Sequence, residues 1–313
     1  MQEDRQPVVL LMGPTASGKT GVAVHLATRF RFEIVSVDSA QVYRHMNIGT
    51  AKPSGGTLAV APHHLINLLD PSDRYSAADF CADANEVLAQ IHTRGNIPLL
   101  TGGTMLYFKA LKEGLSELPA ADAKTRAVID AMAEVSGWPS LHAELERIDP
   151  CTAGRLRPTD AQRIQRALEV YYLTGSSLSA LTTRGRASAV PYHMISIALE
   201  PSERGILHAR IEQRFEQMLE LGLIEEVREL RKRFALNPSL PSMRAVGYRQ
   251  VWQYLDGEFS LAALREKGKA ATRQLAKRQL TWLRSWSDVR RFDCTAEDLA
   301  EQVENYLAGQ VEI

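Results

Sequence analysis

A single stretch near the start of the chain limits the possible folds more than any other. Residues 13–20 read GPTASGKT and match the phosphate-loop pattern G-x-x-x-x-G-K-[ST]. The apolar run 8–12 just before the loop predicts a buried strand, and residues 22–27 just after it predict the first turns of a helix. A strand, a glycine-rich loop and a helix in this order indicate a phosphate-binding α/β fold.

Each part of this loop fits the binding of a di- or triphosphate. Its glycines let successive backbone N–H groups converge on an anion, and the helix N-terminus adds a partial positive charge. Lys19 can reach the terminal phosphates, and Thr20 can offer its hydroxyl to a bound Mg²⁺ ion. The alternative, a glycine-rich turn without a ligand, requires the lysine, the hydroxyl and both flanks to be coincidental. The residues predicted to bind the phosphates are Gly13, Pro14, Thr15, Ala16, Ser17, Gly18, Lys19 and Thr20.

Two further strand ends are expected beside the loop. Residues 32–37 predict a strand that ends at Asp38, and residues 98–100 predict another that ends in the Thr-Gly-Gly-Thr segment 101–104. Because functional groups gather at the carboxyl ends of the strands in such sheets, Asp38 should lie beside the phosphate site. Alternatively, Asp38 only caps the helix that follows it. Segment 101–104 is either a place of close approach for a substrate or a simple tight turn.

The middle of the chain changes character. Residues 116–191 lack strand-like runs and alternate helical segments with Gly and Pro breaks, whereas 194–199 predict a strand that returns to the main sheet. We therefore predict an α/β fold with a phosphate-loop NTPase-like parallel sheet, helices on both faces and an all-helical insertion domain. The first part of the core is predicted at 1–115, the insertion at 116–191, and the return strand with a helical, basic C-terminal part at 192–313.

One helix of the insertion presents a polar face. In the helix predicted for residues 160–173, Ile164 and Tyr171 fall on the buried side. Gln162 and Arg166 fall on the exposed side, for which solvated charge is the ordinary explanation. The adjacent histidines at 63–64 suggest a metal, but neighbours in sequence point to different sides and have no suitably spaced carboxylate or cysteine. We expect a surface or structural role for them.

The chain as a whole has equal numbers of basic and acidic residues, but they are unevenly distributed along it. Lys plus Arg and Asp plus Glu both number 37, so the net charge indicates no partner. Between Leu240 and Arg291, however, eleven Lys or Arg face four Asp or Glu, and this surplus is typical of a surface that binds a polyanion. The chain after Pro201 is expected to be helical. In its last long helix, Arg273 and Lys277 fall opposite Trp282, which favours a core position for the tryptophan over base stacking.

The remaining composition indicates a compartment. The 313 residues include three cysteines, far apart in sequence and without a disulfide or metal-knuckle pattern, which suits a reducing environment. The polar start of the chain leads into an apolar run too short for a signal or a membrane span. We expect a cytoplasmic protein that does not bind membranes.

Two enzyme classes fit these parts. In the first, a small-molecule kinase binds ATP and Asp38 accepts a proton from an alcohol. In the second, the phosphate loop binds a diphosphate leaving group while the rest of the donor is transferred to a polyanionic acceptor. The strand that ends at 101 lacks the Asp that often orders magnesium, and this absence and the basic C-terminal region favour the second class without deciding it. A nucleotide-switched binding protein fits less well because no N-K-x-D sequence is present.

The order and content of the motifs resemble one family closely. From residue 8 to residue 286 the chain is similar to the bacterial tRNA dimethylallyltransferases, also called isopentenyltransferases. The motifs that carry the resemblance are GPTASGKT, DSAQVYR, IGTAKP, PHHLIN, LLTGGTMLY, RPTDAQRIQRALEV, RIEQRFEQML, RAVGYRQ and TRQLAKRQLTWLR.

This resemblance implies a reaction and its participants. A dimethylallyl group would pass from dimethylallyl diphosphate to N6 of the adenosine 3′-adjacent to the tRNA anticodon, with release of diphosphate. The partners would be the tRNA anticodon stem-loop and the donor, with Mg²⁺ as cofactor; no obligate protein partner is evident. Asp38 would be the general base, Arg214 would help the loop and Thr20 to hold diphosphate and metal, and Thr104 would orient the acceptor.

The resemblance also implies which residues contact the tRNA. They come from several motifs spread over the core, the insertion and the C-terminal part. The implied contacts are Asp38, Ser39, Ala40, Gln41, Thr104, Arg126, Gln162, Arg163, Ile164, Gln165, Arg166, Arg244, Ala245, Val246, Gly247, Tyr248, Arg249, Lys277, Arg278 and Arg284.

Overall fold

The core is a six-stranded parallel sheet, as the sequence predicts. The computed structural model describes residues 5–116, 118–184 and 191–311. Its strands are β1 (Pro7–Met12), β2 (Phe32–Val37), β3 (His63–His64), β4 (Ile97–Gly102), β5 (His193–Glu200) and β6 (Arg290–Asp293). They lie in the order β3-β2-β4-β1-β5-β6, and each neighbouring pair is parallel. The two strands beside β1 therefore come from distant parts of the chain.

Helices lie around this sheet, and other helices form the middle of the chain. They are α1 (Lys19–Arg29), α2 (Gly55–Val60), α3 (Ala77–Thr93), α4 (Met105–Glu113), α5 (Ala123–Ser136), α6 (Trp138–Ile148), α7 (Pro150–Ala153), α8 (Ala161–Thr174), α9 (Leu178–Arg184), α10 (Arg204–Glu220), α11 (Leu223–Arg233), α12 (Tyr248–Leu255), α13 (Leu261–Arg284) and α14 (Leu299–Ala308). Within the described stretches of chain, no helix combines the length and the apolar character needed to cross a membrane.

The central strands owe their positions to burial on both faces. Every residue of β1 from Val8 to Met12 is fully buried, which explains why an uninterrupted apolar run predicted it. On one face, β1, β4 and β5 pack against α1 and α14. This packing fixes the carboxyl end of β1, and thus the start of the phosphate loop, next to the carboxyl ends of β4 and β5.

One strand contradicts the expectation that the chain is helical after Pro201. β6 pairs with β5 at the edge of the sheet. Its sequence is RRFD, in which Arg290 and Arg291 are exposed and only Phe292 is buried. A four-residue edge strand with one buried side chain leaves no apolar run, so the periodicity of the sequence cannot reveal it.

The chain separates into two compact units. One consists of residues 1–110 together with 191–313, and the other of Leu111–Val190. The described part of the second unit is helical, and α5, α6 and α8 pack around Ile129, Leu145 and Ile164. Tyr171 is only half-buried, so its predicted core position is wrong; the last turns of α8 lie at the margin of this cluster.

The buried stripe of helix α13 agrees with the expected one only in part. Its buried residues are Leu264, Gly268, Ala276, Gln279 and Leu283. Trp282 is 37% exposed, with the Lys109 ammonium 5.8 Å from its ring centroid, so the core position expected for this tryptophan is wrong. The prediction failed because a polar residue, Gln279, occupies the centre of the buried stripe.

Candidate active site

The strand ends that the sequence predicts to be neighbours surround one cavity. Residues of the phosphate loop, Asp38 after β2 and the glycine pair 102–103 at the end of β4 all line it. All of these residues belong to the unit that contains the sheet. The predicted site residues in the lining are Thr15, Lys19, Thr20, Asp38, Ala40, Gln41, Arg214, Ala245, Val246 and Gly247.

The phosphate loop is tightly built. A side chain at Gly13 would lie 2.7 Å from the Ser17 hydroxyl and 3.0 Å from the carbonyl oxygen of Leu199, so this position accepts only glycine. Gly18 has a φ of 81°, a left-handed conformation that glycine adopts without strain. Helix α1 begins directly after it without a side-chain cap, which leaves the first amides of the helix as donors for an anion.

Lys19 is the nearest cation to the loop backbone. Its ammonium group donates to the carbonyl oxygen of Pro14 at 2.6 Å and to the Ser17 hydroxyl at 3.4 Å. Burial, and next the charge of Arg214, lower the pKa of Lys19 to about 7, although Asp38 opposes the shift. An anion in this cavity would favour the charged form of Lys19, because opposite charges at close range raise the pKa of an amine.

Arg214 supplies a second cation from another element. It lies on α10, and its guanidinium donates to the Thr15 hydroxyl at 3.4 Å. Burial lowers the pKa of Arg214, and Asp38 acts in the opposite direction. Two desolvated cations therefore face one carboxylate, an arrangement that favours binding of an anion.

Asp38 does not cap a helix, because the next helix begins only at Gly55; it caps a turn instead, with one of its oxygens. Oδ1 accepts hydrogen bonds from the backbone N–H groups of Ala40, at 2.9 Å, and of Gln41, at 3.3 Å. Oδ2 makes no hydrogen bond to the described residues. The hydrogen bonds of the turn orient the Asp38 carboxylate. Because Asp38 also lines the cavity, it retains an oxygen that can accept a proton.

The Gly-Gly-Thr segment connects β4 with the Asp38 loop. A side chain at Gly102 would lie 2.0 Å from the carbonyl oxygen of Val37, so β2 and β4 approach each other too closely for any residue with a Cβ. The Thr104 hydroxyl accepts a hydrogen bond from the N–H of Ser39 at 3.0 Å. Thr104 itself is outside the cavity lining, and it fixes the residue next to Asp38.

Several lining residues were not expected from the sequence. One side of the cavity is apolar and consists of Ile211, Phe215, Met218 and Leu275. His63 also lines the cavity; its Nδ1 lies 2.8 Å from the carbonyl oxygen of Ala61, and burial lowers its pKa. Of the two roles expected for the histidine pair, surface or structural, the half-buried His63 of β3 agrees with the structural one. The adjacent histidines are conspicuous in the sequence. The residues of the apolar side show only the spacing that is usual for the buried face of a helix.

Motif 244–250 is partly structural. Tyr248 is fully buried, and its hydroxyl donates to Glu226, which also accepts from the N–H of Ile48 at 2.8 Å. A side chain at Gly49 would lie 2.4 Å from the Tyr248 ring. The implied tRNA contact of Tyr248 is therefore wrong, because its ring and hydroxyl are used inside the core. Arg244 and Arg249 are exposed, and Gly247 is buried.

The implied tRNA contacts of the helical unit differ in exposure. Ile164 is fully buried in the core, so its side chain cannot contact RNA and that implied contact is wrong. Arg126 and Arg166 both bind Glu169, at 2.8 Å and 2.6 Å, and the Glu169 carboxylate has no exposed surface. These arginines are therefore only partly solvated, unlike the exposed Arg163. Gln162 is exposed, and Gln165 donates to Asp130 at 2.6 Å.

The basic residues of α13 divide into paired and exposed ones. Arg273 forms an ion pair with Glu212 at 2.6 Å. Lys277, Arg278 and Arg284 are exposed and form no ion pair with the described residues. Three exposed positive charges therefore lie in the last two turns of this helix.

Comparison with known proteins decides the family. The family model for IPP transferase matches residues 41–286, and the model for isopentenyl transferase matches residues 6–62. The first match covers well over half of the chain. The chain belongs to the IPP transferase family. Members of this family therefore provide the appropriate reference for its cavity.

Similar members cover the whole chain. A tRNA dimethylallyltransferase of Nitrosospira multiformis is 58% identical, with 96% of this chain and 93% of that protein aligned. One of Paraburkholderia phymatum is 57% identical over 99% and 100% of the two chains. Among solved structures, the tRNA isopentenylpyrophosphate transferase of Bacillus halodurans has a TM-score of 0.71 at 38% identity, covering 98% and 97% of the two chains. A eukaryotic dimethylallyltransferase acting on tRNA has a TM-score of 0.82 at 26% identity, covering 98% and 81%.

Proposed function

We propose that this IPP transferase family member is a tRNA dimethylallyltransferase. It would transfer the dimethylallyl group of dimethylallyl diphosphate to N6 of the adenosine 3′-adjacent to the anticodon and release diphosphate. The observation that carries the proposal is the composition of one cavity, which combines a phosphate loop with two half-buried cations, an apolar side and an oriented carboxylate. The names of its relatives support the same reaction.

The donor suits the two ends of this cavity. Its diphosphate would bind the loop amides, Lys19 and Arg214, whose charges are weakly solvated. Its five-carbon group would lie against Phe215 and Met218, because an apolar group gains free energy when it leaves water. A nucleoside triphosphate would use the first interaction but not the second.

The reaction then requires charge stabilisation and a proton acceptor. As the bond between the allylic carbon and oxygen breaks, its electron pair leaves with the diphosphate, where Lys19 and Arg214 stabilise the growing negative charge. The N6 lone pair forms the new bond to carbon, and the nitrogen becomes acidic. Asp38 would accept the released proton, a useful contribution because the adenine amine is a poor nucleophile.

A magnesium ion fits the residues present. The Thr20 hydroxyl is exposed in the cavity lining and makes no hydrogen bond to the described residues. Among those residues, no group of three or more His, Cys, Asp and Glu side chains is arranged to hold a metal. Thr20 with diphosphate oxygens and water is a ligand set that magnesium accepts. When bound, the ion would neutralise charge on the leaving diphosphate.

The acceptor would be the tRNA anticodon stem-loop. Its target adenine must leave the base stack to reach Asp38, at a cost of a few kcal/mol that backbone contacts can offset. We propose the exposed residues of the implied set as these contacts, including those of the helical insertion at 116–191. They are Ser39, Gln162, Arg163, Arg244, Arg249, Lys277, Arg278 and Arg284. We expect the reaction in the cytoplasm.

Transfer of label separates this function from the kinase alternative. The protein should be incubated with dimethylallyl diphosphate labelled in the dimethylallyl group and unmodified tRNA, and in parallel with γ-labelled ATP and candidate alcohols. We expect label in tRNA, recovered after digestion as N6-modified adenosine. Transfer of phosphate to an alcohol without labelling of tRNA would support the kinase instead.

A further inference from the structure

Gln279 connects the two halves of the cavity. It lies on α13 and is only 8% exposed. Its Oε1 accepts a hydrogen bond from the backbone N–H of Thr15 at 2.8 Å, and its Nε2 donates to the carbonyl oxygen of Gly103 at 2.9 Å. One carboxamide thus joins the phosphate loop after β1 to the glycine pair after β4, although it is distant from both in sequence.

The connection continues to the proposed general base. Gly103 precedes Thr104, whose hydroxyl accepts from the N–H of Ser39, the residue after Asp38. The Thr104 N–H also donates to the carbonyl oxygen of Val37, the residue before Asp38, at 3.2 Å. In addition to the register of the sheet, hydrogen bonds through Thr15, Gln279 and Thr104 therefore connect the Asp38 backbone with the phosphate loop.

The local chemistry requires glutamine. One partner is a donor and the other is an acceptor, so the side chain must present one acceptor and one donor at a fixed separation, as a carboxamide does. Glutamate would place a lone pair against the Gly103 carbonyl, and methionine would fill the space without either hydrogen bond. A Cβ at Gly103 would lie 2.2 Å from Nε2, so the glycine leaves the room that the carboxamide occupies.

We propose that Gln279 is a positioning residue for the transfer reaction. It sets the separation between the loop that holds the leaving diphosphate and the carboxylate that accepts the N6 proton. This inference rests on the proposed function. The allylic carbon must lie between these two groups, and a misplacement of about 1 Å at a reacting centre can lower a rate by about 10²-fold.

The test compares isosteric and charged variants with a control on the same helix. Gln279→Met keeps the volume and removes both hydrogen bonds, whereas Gln279→Glu keeps only the contact to Thr15. Gln274→Ala is the control, since Gln274 is exposed on the same helix. In single turnovers at saturating donor and tRNA, we expect Gln279→Met to be slower by about 10- to 100-fold, with affinities for both substrates within about threefold of the parent. Gln279→Glu should be intermediate, and Gln274→Ala should match the parent.

Two kinetic results would overturn the inference. One is a parent-like rate in Gln279→Met, which would reduce Gln279 to a packing role. The other is a rate loss that merely follows a loss of donor affinity. Hydrogen exchange of the peptide containing Thr15 provides a readout that does not depend on transfer. It should be faster in Gln279→Met and unchanged in Gln274→Ala, and equal exchange in parent and Gln279→Met would refute the connection. Failure of the parent to label tRNA would instead refute the proposed function.

Discussion

Asp38 orders a turn with one carboxylate oxygen and leaves the other oxygen without a hydrogen bond to the described residues. An Asp after a strand is either a cap or a catalytic group, and sequence alone left both open. In the structure Oδ1 receives the N–H groups of Ala40 and Gln41 and thereby fixes the rotamer. The same turn leaves Oδ2 available in the cavity, so capping serves as preorganisation for proton transfer.

The first prediction concerns that proton. Asp38→Asn retains the shape and an acceptor for the turn but removes the basic oxygen. We expect the single-turnover rate to fall by about 10²- to 10⁴-fold, the usual contribution of a general base, while donor affinity is retained because a carboxylate does not attract a diphosphate. Thermal unfolding should move little. A rate within about threefold of the parent would assign Asp38 to capping alone.

The second prediction concerns Lys19 and pH. Its pKa of about 7 means that the amine loses its charge near neutrality in the free protein. Diphosphate binding favours the charged form, so binding takes up a proton between the free and the bound pKa. Donor affinity should therefore be highest below pH 7 and fall above it, by up to about tenfold per pH unit.

Lys19→Met provides the control for this pH dependence. It removes the titrating amine but leaves the ionisation of the donor itself unchanged. The fall in donor affinity above pH 7 should therefore disappear in the variant, together with part of the affinity at low pH. If parent and variant show the same pH dependence, Lys19 does not titrate on donor binding.

Patterns formed by neighbouring residues predicted helices and strands well, whereas contacts between residues distant in sequence left no recognisable pattern. The strand, loop and helix around residues 8–27 each depend on neighbours in sequence, and all three are confirmed. The capping box of Ser76 with Asp79 at the start of α3 is also local. By contrast, the partners of Gln279 are 264 and 176 residues away, and nothing in its own helix indicates them. Thr15 and Gly103 carry no complementary signal because they use backbone atoms.

The helical unit provides the third prediction. Burial alone would raise the pKa of Glu169, but hydrogen bonds from Arg126 and Arg166 hold it below its usual value. Glu169→Gln removes the carboxylate that forms ion pairs with both guanidinium groups. We expect the free energy of unfolding to fall by about 1–3 kcal/mol. This is less than the usual cost of breaking a fully buried pair, because both arginines are partly exposed.

The pH dependence of stability checks the same interaction. A carboxylate with a lowered pKa in the folded state stabilises above its unfolded pKa, and this contribution is lost as the pH falls through the folded value. The parent should therefore lose stability on acidification below about pH 4.5, and Glu169→Gln should lose less. Glu146→Gln, at an exposed carboxylate on α6, should behave as the parent. Equal acid sensitivity of Glu169→Gln and the parent would contradict the account.

For the whole molecule, the number of basic residues in the sequence does not give the positive charge that is exposed at the surface. The sequence shows a surplus of basic residues after residue 240, but several of them are neutralised within the fold. Arg265 and Lys269 both bind Glu216, and Arg273 binds Glu212. Lys277, Arg278 and Arg284 at the end of α13 remain exposed without an ion pair to the described residues, and sequence counting could not separate them from the paired residues because the partners lie on α10.

The fourth prediction concerns these exposed basic residues at the end of α13. Replacing Lys277, Arg278 and Arg284 together by Gln should weaken tRNA binding and flatten its dependence on salt. Each lost phosphate contact lowers the slope of log affinity against log salt by about 0.7 to 0.9, so the slope should fall by about 2 to 3. Replacing the ion-paired Arg228 and Lys232 of α11 by Gln is the control. An unchanged slope would make the end of α13 ordinary solvated surface.

The central claim is that the phosphate loop holds a leaving group and not a nucleotide. The most direct measurement is a single turnover with dimethylallyl diphosphate that carries ¹⁴C in the dimethylallyl group and ³²P in the diphosphate, with protein in excess over tRNA. We expect ¹⁴C to enter the tRNA and ³²P to appear as free diphosphate, in equal amounts and at the same rate. Entry of ³²P into the tRNA, or release of diphosphate without ¹⁴C transfer, would contradict it.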